Sequence, residues 1–282
     1  MTELLNVRYS KYYEKERIVD FFIPEELKSD KCIFFIHGGG FNAGKKDAWH
    51  PLARWFCEKG YFCASMEYRL APGEMVNTQF GEEDCTNRHF PAQIEDVRLC
   101  MSFIKENSSK YGFDKNKIII TGSSAGAYLC GMLATIQEDD LLGYTPEMNE
   151  LDTTPMAVVL YCPVVDLHYN DFNLYGYETK FCQNFMGKPI EGNERLYDLA
   201  SPLLRITGKT PPTLVIHALE DKLVTGKAVD MLIEAYNKNN VPIKVVYVEG
   251  AKHGFGYNTK TEQQIFALGK MYEYIVDFNA IK

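Results

Sequence analysis

Short, continuously apolar runs alternating with longer helix-patterned ones constrain this chain more than any other feature. Six such runs occur: 31–36 (KCIFFI), 61–66 (YFCASM), 117–121 (KIIIT), 156–162 (MAVVLYC), 213–218 (TLVIHA) and 243–248 (IKVVYV). Several are rich in β-branched residues and lack polar alternation, the pattern of parallel strands buried on both faces. Between them, Ile94, Val97, Met101 and Ile104 recur at steps of three and four, as do Val229, Leu232, Ile233 and Tyr236, which is helical spacing. The order predicts an α/β class with right-handed βαβ units and a mostly parallel central sheet covered by helices on both faces. Residues 167 to about 200 break the rhythm, because they are crowded with aromatics and show no clear strand. They are expected to form a short cap inserted over one end of the sheet. No repeat, low-complexity tract or Pro/Gly-rich linker divides the chain, so residues 1–282 are expected to form one domain.

Charge and targeting signals narrow the partners. A net charge of −8 gives no electrostatic reason to bind nucleic acid or an anionic membrane. The N-terminus lacks a basic-then-apolar leader, and no apolar run approaches the roughly 18 residues of a membrane span, so a soluble, cytoplasmic protein is expected. Cys32, Cys63, Cys130 and Cys162 lie in apolar runs and no Cys-x-x-Cys occurs, which favours buried thiols over disulfides or a zinc site.

Chemistry enters at 118–129, IIITGSSAGAYL. In Gly-x-Ser-x-Gly, the glycines sit where a sharp strand-to-helix turn brings other backbone too close for side chains, and the serine is pushed out at the top of the sheet. Ser124 has Gly122 and Gly126 at those positions; Ser123 has Thr121 and Ala125. Ser124 is therefore the candidate nucleophile, set against the plainer reading of a glycine-rich turn with an idle serine. A dinucleotide-binding turn is excluded by Tyr128, which stands where a final glycine must admit phosphate. After the run 31–36 comes His37-Gly38-Gly39-Gly40-Phe41, whose glycines could present backbone amides to a cavity. Gly39 and Gly40, with the amide of Ala125, are candidates for an oxyanion hole.

A serine needs a base, and the base a carboxylate. With the serine on such a turn, acid and histidine follow it in that order along the chain, which leaves His168, His217 and His253. His217 lies within a strand run and His168 begins the insertion, whereas His253 sits in a glycine-flanked loop directly after 243–248. His253 is the expected base. Asp221, just past 213–218, is the expected acid; its plainer reading is the cap of a helix beginning near Leu223. Asp166, past 156–162, is a rival that stays open.

These segments, HGGGF, EYRLAP (67–72), YGFDKNKIIITGSSAGAYL (111–129), LEDKLV (219–224) and HGF (253–255), resemble the hormone-sensitive-lipase-like esterase group of the α/β-hydrolases from about residue 17 onward. The resemblance implies the α/β-hydrolase fold and the roles just given for Ser124, Asp221, His253, Gly39, Gly40 and Ala125. The short cap and 200–224 look most like bacterial sugar or acetyl-xylan esterases. Those relatives often read Pro-Gly-Gly-Gly-Tyr and Ser-Ala-Gly-Gly-His, where this chain has Phe41 and Tyr128. The implied activity is a serine carboxylesterase, a carboxylic ester hydrolase that cleaves short-chain acyl (above all acetyl) esters, on sugars or xylo-oligosaccharides, without metal or cofactor. A serine amidase or formamidase of the same fold, and a non-catalytic ligand-binding member, are the alternatives. The implied partner is a small-molecule ester, with no nucleic acid and no membrane, and a homodimer is left open. Tyr169, Phe172, Tyr175, Tyr177, Phe181 and Phe185 of the insertion are expected to line the mouth of the site, where aromatic faces suit a sugar ring or an acyl chain.

Overall fold

The computed structural model describes residues 1–72, 88–168 and 180–280. The strands are β1 (Thr2–Arg8), β2 (Ile18–Ile23), β3 (Cys32–Ile36), β4 (Phe62–Met66), β5 (Ile118–Ser123), β6 (Ala157–Tyr161), β7 (Thr213–Ala218) and β8 (Ile243–Val248). The helices are α1 (His50–Glu58), α2 (Ala92–Glu106), α3 (Ser108–Tyr111), α4 (Ala125–Thr135), α5 (Lys180–Met186), α6 (Glu194–Leu199), α7 (Gly226–Lys238) and α8 (Glu262–Val276). The six apolar runs are β3 to β8, and the two helical patterns are α2 and α7.

One sheet holds all eight strands in the order β1-β2-β4-β3-β5-β6-β7-β8. Strands β3 to β8 pair in parallel, while β1 with β2 and β2 with β4 are antiparallel. The apolar runs are continuous because both faces are covered. Phe34 and Ile36 of β3 belong to one buried cluster with Ile94 of α2, Leu129 of α4 and Val229 of α7, whereas Ile33 and Phe35 belong to a second with Phe56 of α1 and Met271 of α8. The antiparallel start was not legible as strand, since β1 is largely exposed.

This strand order also chooses the place for a site. From β3 the chain moves outward to β4, then returns to β5 on the other side of β3. Loops leaving the C-terminal ends of β3 and β5 therefore part in opposite directions and leave a crevice between them. Between β6 and β7, the described part of the insertion holds α5, α6 and no strand. Several hydrogen bonds bind it and the residues after it to the sheet domain, among them the Phe90 amide donating to the Phe185 carbonyl at 2.8 Å. The Tyr128 hydroxyl donates to the Ala200 carbonyl at 2.6 Å, and Ser201 Oγ lies 2.9 Å from Asp166 Oδ1. The seven described cysteines, Cys32, Cys63, Cys130 and Cys162 among them, are buried free thiols; Cys85 lies outside the described residues. Among the described residues no helix is long and apolar enough to cross a membrane.

Candidate active site

Ser124 stands alone between β5 and α4, with φ 56° and ψ −120°, a backbone region that side chains other than glycine rarely occupy. Its flanking glycines are sterically required. A Cβ on Gly122 would lie 2.4 Å from the Gly126 carbonyl, and one on Gly126 would lie 2.2 Å from the Ile36 carbonyl oxygen. The Ser124 amide is held by the Tyr161 carbonyl at 2.9 Å. Ala125 begins α4, so its amide has no carbonyl within the helix to bond and points with the helix's positive end toward the turn. Ser123 is the last residue of β5 and is almost wholly buried.

The glycine loop follows β3 into the same crevice. Gly39, at φ 122°, takes a conformation open only to glycine, and Gly39 and Gly40 border one cavity with Ala125 and Ser124. The loop is held from the far end of the chain, because the Gly38 amide donates to the Tyr257 hydroxyl at 2.9 Å. Beneath it, the buried His37 ring stacks on Tyr68 at 4.3 Å and places Nδ1 2.8 Å from the Gly38 carbonyl oxygen. Burial pushes His37 down to about 4, so its ring is neutral at pH 7. Glu67 Oε1 lies 3.9 Å from His37 Nε2, and burial, opposed by a hydrogen bond from the Lys46 amide, pushes the Glu67 carboxyl up to about 7.

Asp221 and His253 leave the ends of β7 and β8 and meet. His253 Nδ1 lies 2.7 Å from Asp221 Oδ2, and Asp221 Oδ1 accepts the amides of Leu223 (2.8 Å) and Val224 (2.9 Å). Burial alone would raise the carboxyl, but the His253 bond and charge, with those two amides, hold it below the ordinary carboxylate value. The turn that Asp221 caps precedes the helix, which begins at Gly226 and not near Leu223. Asp166 is not brought to His253. Its carboxylate takes the His168 amide at 2.9 Å, the His168 ring at 3.0 Å and Ser201, tying down the base of the insertion. His217 is buried in β7, as its strand position predicts.

Ser124 and His253 line a single cavity of about 400 Å3 whose remaining wall includes Phe41, Val164, Cys182, Leu223 and Tyr257. The insertion reaches it through Cys182. Phe185 is a correction: it is not at the mouth but fully buried, stacked on Phe41 at 4.0 Å and edge-on to Tyr128 at 5.4 Å, because an apolar ring in the insertion gains more from filling the space behind the loop. Tyr169, Phe172, Tyr175, Tyr177 and the side chain of Phe181 lie outside the described residues. Sequence reasoning missed Tyr257, Phe41 and Cys182; the nearest signal for Tyr257 is its place four residues after His253.

Two groups of described side chains could hold a metal ion: Cys162, His217 and Asp221; and Asp20, Asp47 and His50. In the second, Asp20 is already neutralised by Lys46 Nζ at 2.9 Å and bonded by His50 at 2.8 Å.

The BD-FAE family model matches residues 19–236, and that of the Dienelactone hydrolase family matches residues 195–278. Esterase LipQ of Mycobacterium tuberculosis is 31% identical over 215 residues, which are 74% of this chain and 47% of that protein. The chain spans from two fifths to three fifths of the length of the first curated relatives it matches. Among solved structures, a truncated form of a carbohydrate esterase from gut microbiota superimposes with a TM-score of 0.79 at 20% identity, covering 98% of this chain and 96% of that one. An acetyl ester-xyloside bifunctional hydrolase from Caldicellulosiruptor lactoaceticus gives 0.76 at 19% identity, covering 98% and 97%. At these identities the likeness is one of fold.

Proposed function

The chain belongs to the BD-FAE family and has the α/β-hydrolase fold, and from that premise we propose that it is a serine carboxylesterase that removes short acyl groups, above all acetyl, from sugars such as xylo-oligosaccharides. The observation that carries this reading is the 2.7 Å bond between His253 and Asp221 on the cavity that Ser124 shares with Gly39, Gly40 and Ala125. LipQ is an esterase by name, and carbohydrate and acetyl esters figure in the names of the two solved structures, which supports this reading.

In this mechanism Ser124 Oγ attacks the ester carbonyl while His253 Nε2 takes its proton. Asp221, ionised, holds Nδ1–H and stabilises the imidazolium. Negative charge grows on the carbonyl oxygen and is taken up in this reading by the amides of Gly39, Gly40 and Ala125, which border the same cavity. His253 then protonates the departing alcohol, and water attacks the acyl-Ser124 ester by the same steps in reverse. The apolar wall of Phe41, Val164, Cys182 and Leu223 suits a short acyl chain and offers no charge to a longer polar one.

The test is hydrolysis of p-nitrophenyl acetate, longer p-nitrophenyl esters and acetylated xylo-oligosaccharides. Activity is expected on the acetyl esters, to disappear in Ser124→Ala and to survive in Ser123→Ala. Loss in Ser123→Ala with retention in Ser124→Ala would overturn the assignment, and turnover of long-chain esters alone would overturn the substrate class.

A further inference from the structure

Asp221 also belongs to a second cluster, with Cys162 and His217, two side chains that hydrolysis does not use. One ligand atom each from Cys162, His217 and Asp221 lie within 4.8 Å of one another, and all three residues are buried. His217 is 2% exposed and its Nδ1 has no hydrogen-bond partner, a condition buried polar atoms seldom carry without a reason. Cys162, immediately after β6, is held at φ 46°, again in the region L side chains avoid. Thiol, imidazole and carboxylate together are the donor set of a borderline-soft divalent cation, with a fourth position left for water.

We propose that Cys162, His217 and Asp221 form a site for a soft divalent cation of the zinc class, and that a cation bound there switches hydrolysis off. The first half stands on the cluster itself; the second rests on the esterase reading above. Bonds of about 2.0–2.3 Å in a tetrahedral site place ligand atoms roughly 3.3–3.8 Å apart, so the three groups need close by at most about 1–1.5 Å. On binding, the Cys162 S–H bond breaks, its proton leaves to solvent and a metal–sulfur bond forms; the imidazole gives a lone pair and Asp221 an oxygen. A hollow open to solvent is bordered by Glu220, Asp221, Lys222, Lys252 and His253, while the Asp221 side chain itself is 1% exposed, so a cation must part that turn to reach the carboxylate.

Charge counting gives the switch. Without the cation the group carries the single negative charge of Asp221, which His253 uses when it becomes an imidazolium. With a dication, a thiolate and a carboxylate, the group is neutral and that stabilisation is gone, whichever Asp221 oxygen is engaged.

The experiment titrates metal-free protein with Cd2+ and follows the ultraviolet thiolate-to-cadmium charge-transfer band. In parallel, p-nitrophenyl acetate hydrolysis is followed with Zn2+ and again after excess chelator. A stoichiometric band that Zn2+ displaces, and inhibition that chelator reverses, are expected. Cys162→Ser should abolish the band, and both it and His217→Gln should raise the Zn2+ concentration for half-inhibition about 10–100-fold, each read against its own metal-free rate. A band that persists in Cys162→Ser, or inhibition unchanged in both variants, would overturn the site. A band without inhibition would overturn the switch. Absence of hydrolysis in the metal-free parent would refute the esterase reading and the switch with it, while the band still decides the site.

Discussion

Replacing Gly126 by alanine puts a methyl group 2.2 Å from the Ile36 carbonyl oxygen and 2.5 Å from that of His37. Real Cβ contacts do not fall below 3.0 Å, so the backbone must open by about 0.8 Å. What moves is the join between β3 and the glycine loop relative to the turn that holds Ser124. Such overpacking costs about 1–3 kcal/mol, against a gain of about 1 kcal/mol from alanine's better helix propensity. A net loss of up to about 2 kcal/mol lowers Tm by up to roughly 4 °C for a chain of this size. Displacement of about 1 Å between nucleophile and oxyanion donors lowers kcat by roughly a hundredfold. Gly269 is the matched control, since it also lies inside a helix but nothing would come within 4 Å of its Cβ. Gly269→Ala should raise stability by about 0.5–1 kcal/mol and leave kcat alone. The same chemical change thus has opposite signs at two helical positions. Thermal unfolding and kcat on p-nitrophenyl acetate read both; a Gly126→Ala protein as stable and as active as the parent would refute the close-approach reasoning.

Asp221→Asn should lower kcat by roughly a thousandfold or more, whereas Asp166→Asn should lower Tm and leave kcat near the parent value; the reverse pattern would return Asp166 to the triad. Tyr257→Phe leaves the Gly38 amide without its acceptor, at about 1–3 kcal/mol, and should lower kcat about tenfold as the loop loses its anchor. Burial holds Glu67 near 7 against an ordinary 4.5, so the folded protein keeps a proton that the unfolded chain has released. Its contribution, on the order of 3 kcal/mol, is full below the unfolded value and is lost as pH rises to about 7; urea unfolding of Glu67→Gln against the parent at about pH 5 and about pH 8 should show a flatter loss in the variant.

What the sequence made legible is what local chemistry dictates. The strands β3 to β8 are readable because covering both faces demands an unbroken apolar run. β2 is obscured by Asp20, whose buried charge is satisfied by Lys46 and His50, residues that no local pattern connects to it. Ser124 is readable because two glycines within five residues report the crowding of its turn. Asp221 and Asp166 both follow parallel strands at the same end of the sheet, so spacing leaves them equivalent until the His253 bond separates them. The Tyr257 anchor joins positions 219 apart and leaves no local trace. Phe185 is the instructive miss. An aromatic in an insertion can serve a ligand or a core, and this one packs on Phe41 and Tyr128, two of the positions where the motifs depart from the relatives they resemble.

The residues proposed for catalysis do not share one foundation. Ser124 and the glycine loop stand on β5 and β3 in the middle of the sheet, while Asp221 and His253 hang from β7 and from β8, an edge strand with only Val248 buried. Sheets open from weakly buried edges before their centres give way. A protein that has loosened β8 would keep its helices, most of its core and its serine, yet hold no base to activate it. On the proposed mechanism, heat or denaturant inactivation is expected to be a local event at the margin of the sheet, so that a preparation folded by its helical signal is already catalytically silent.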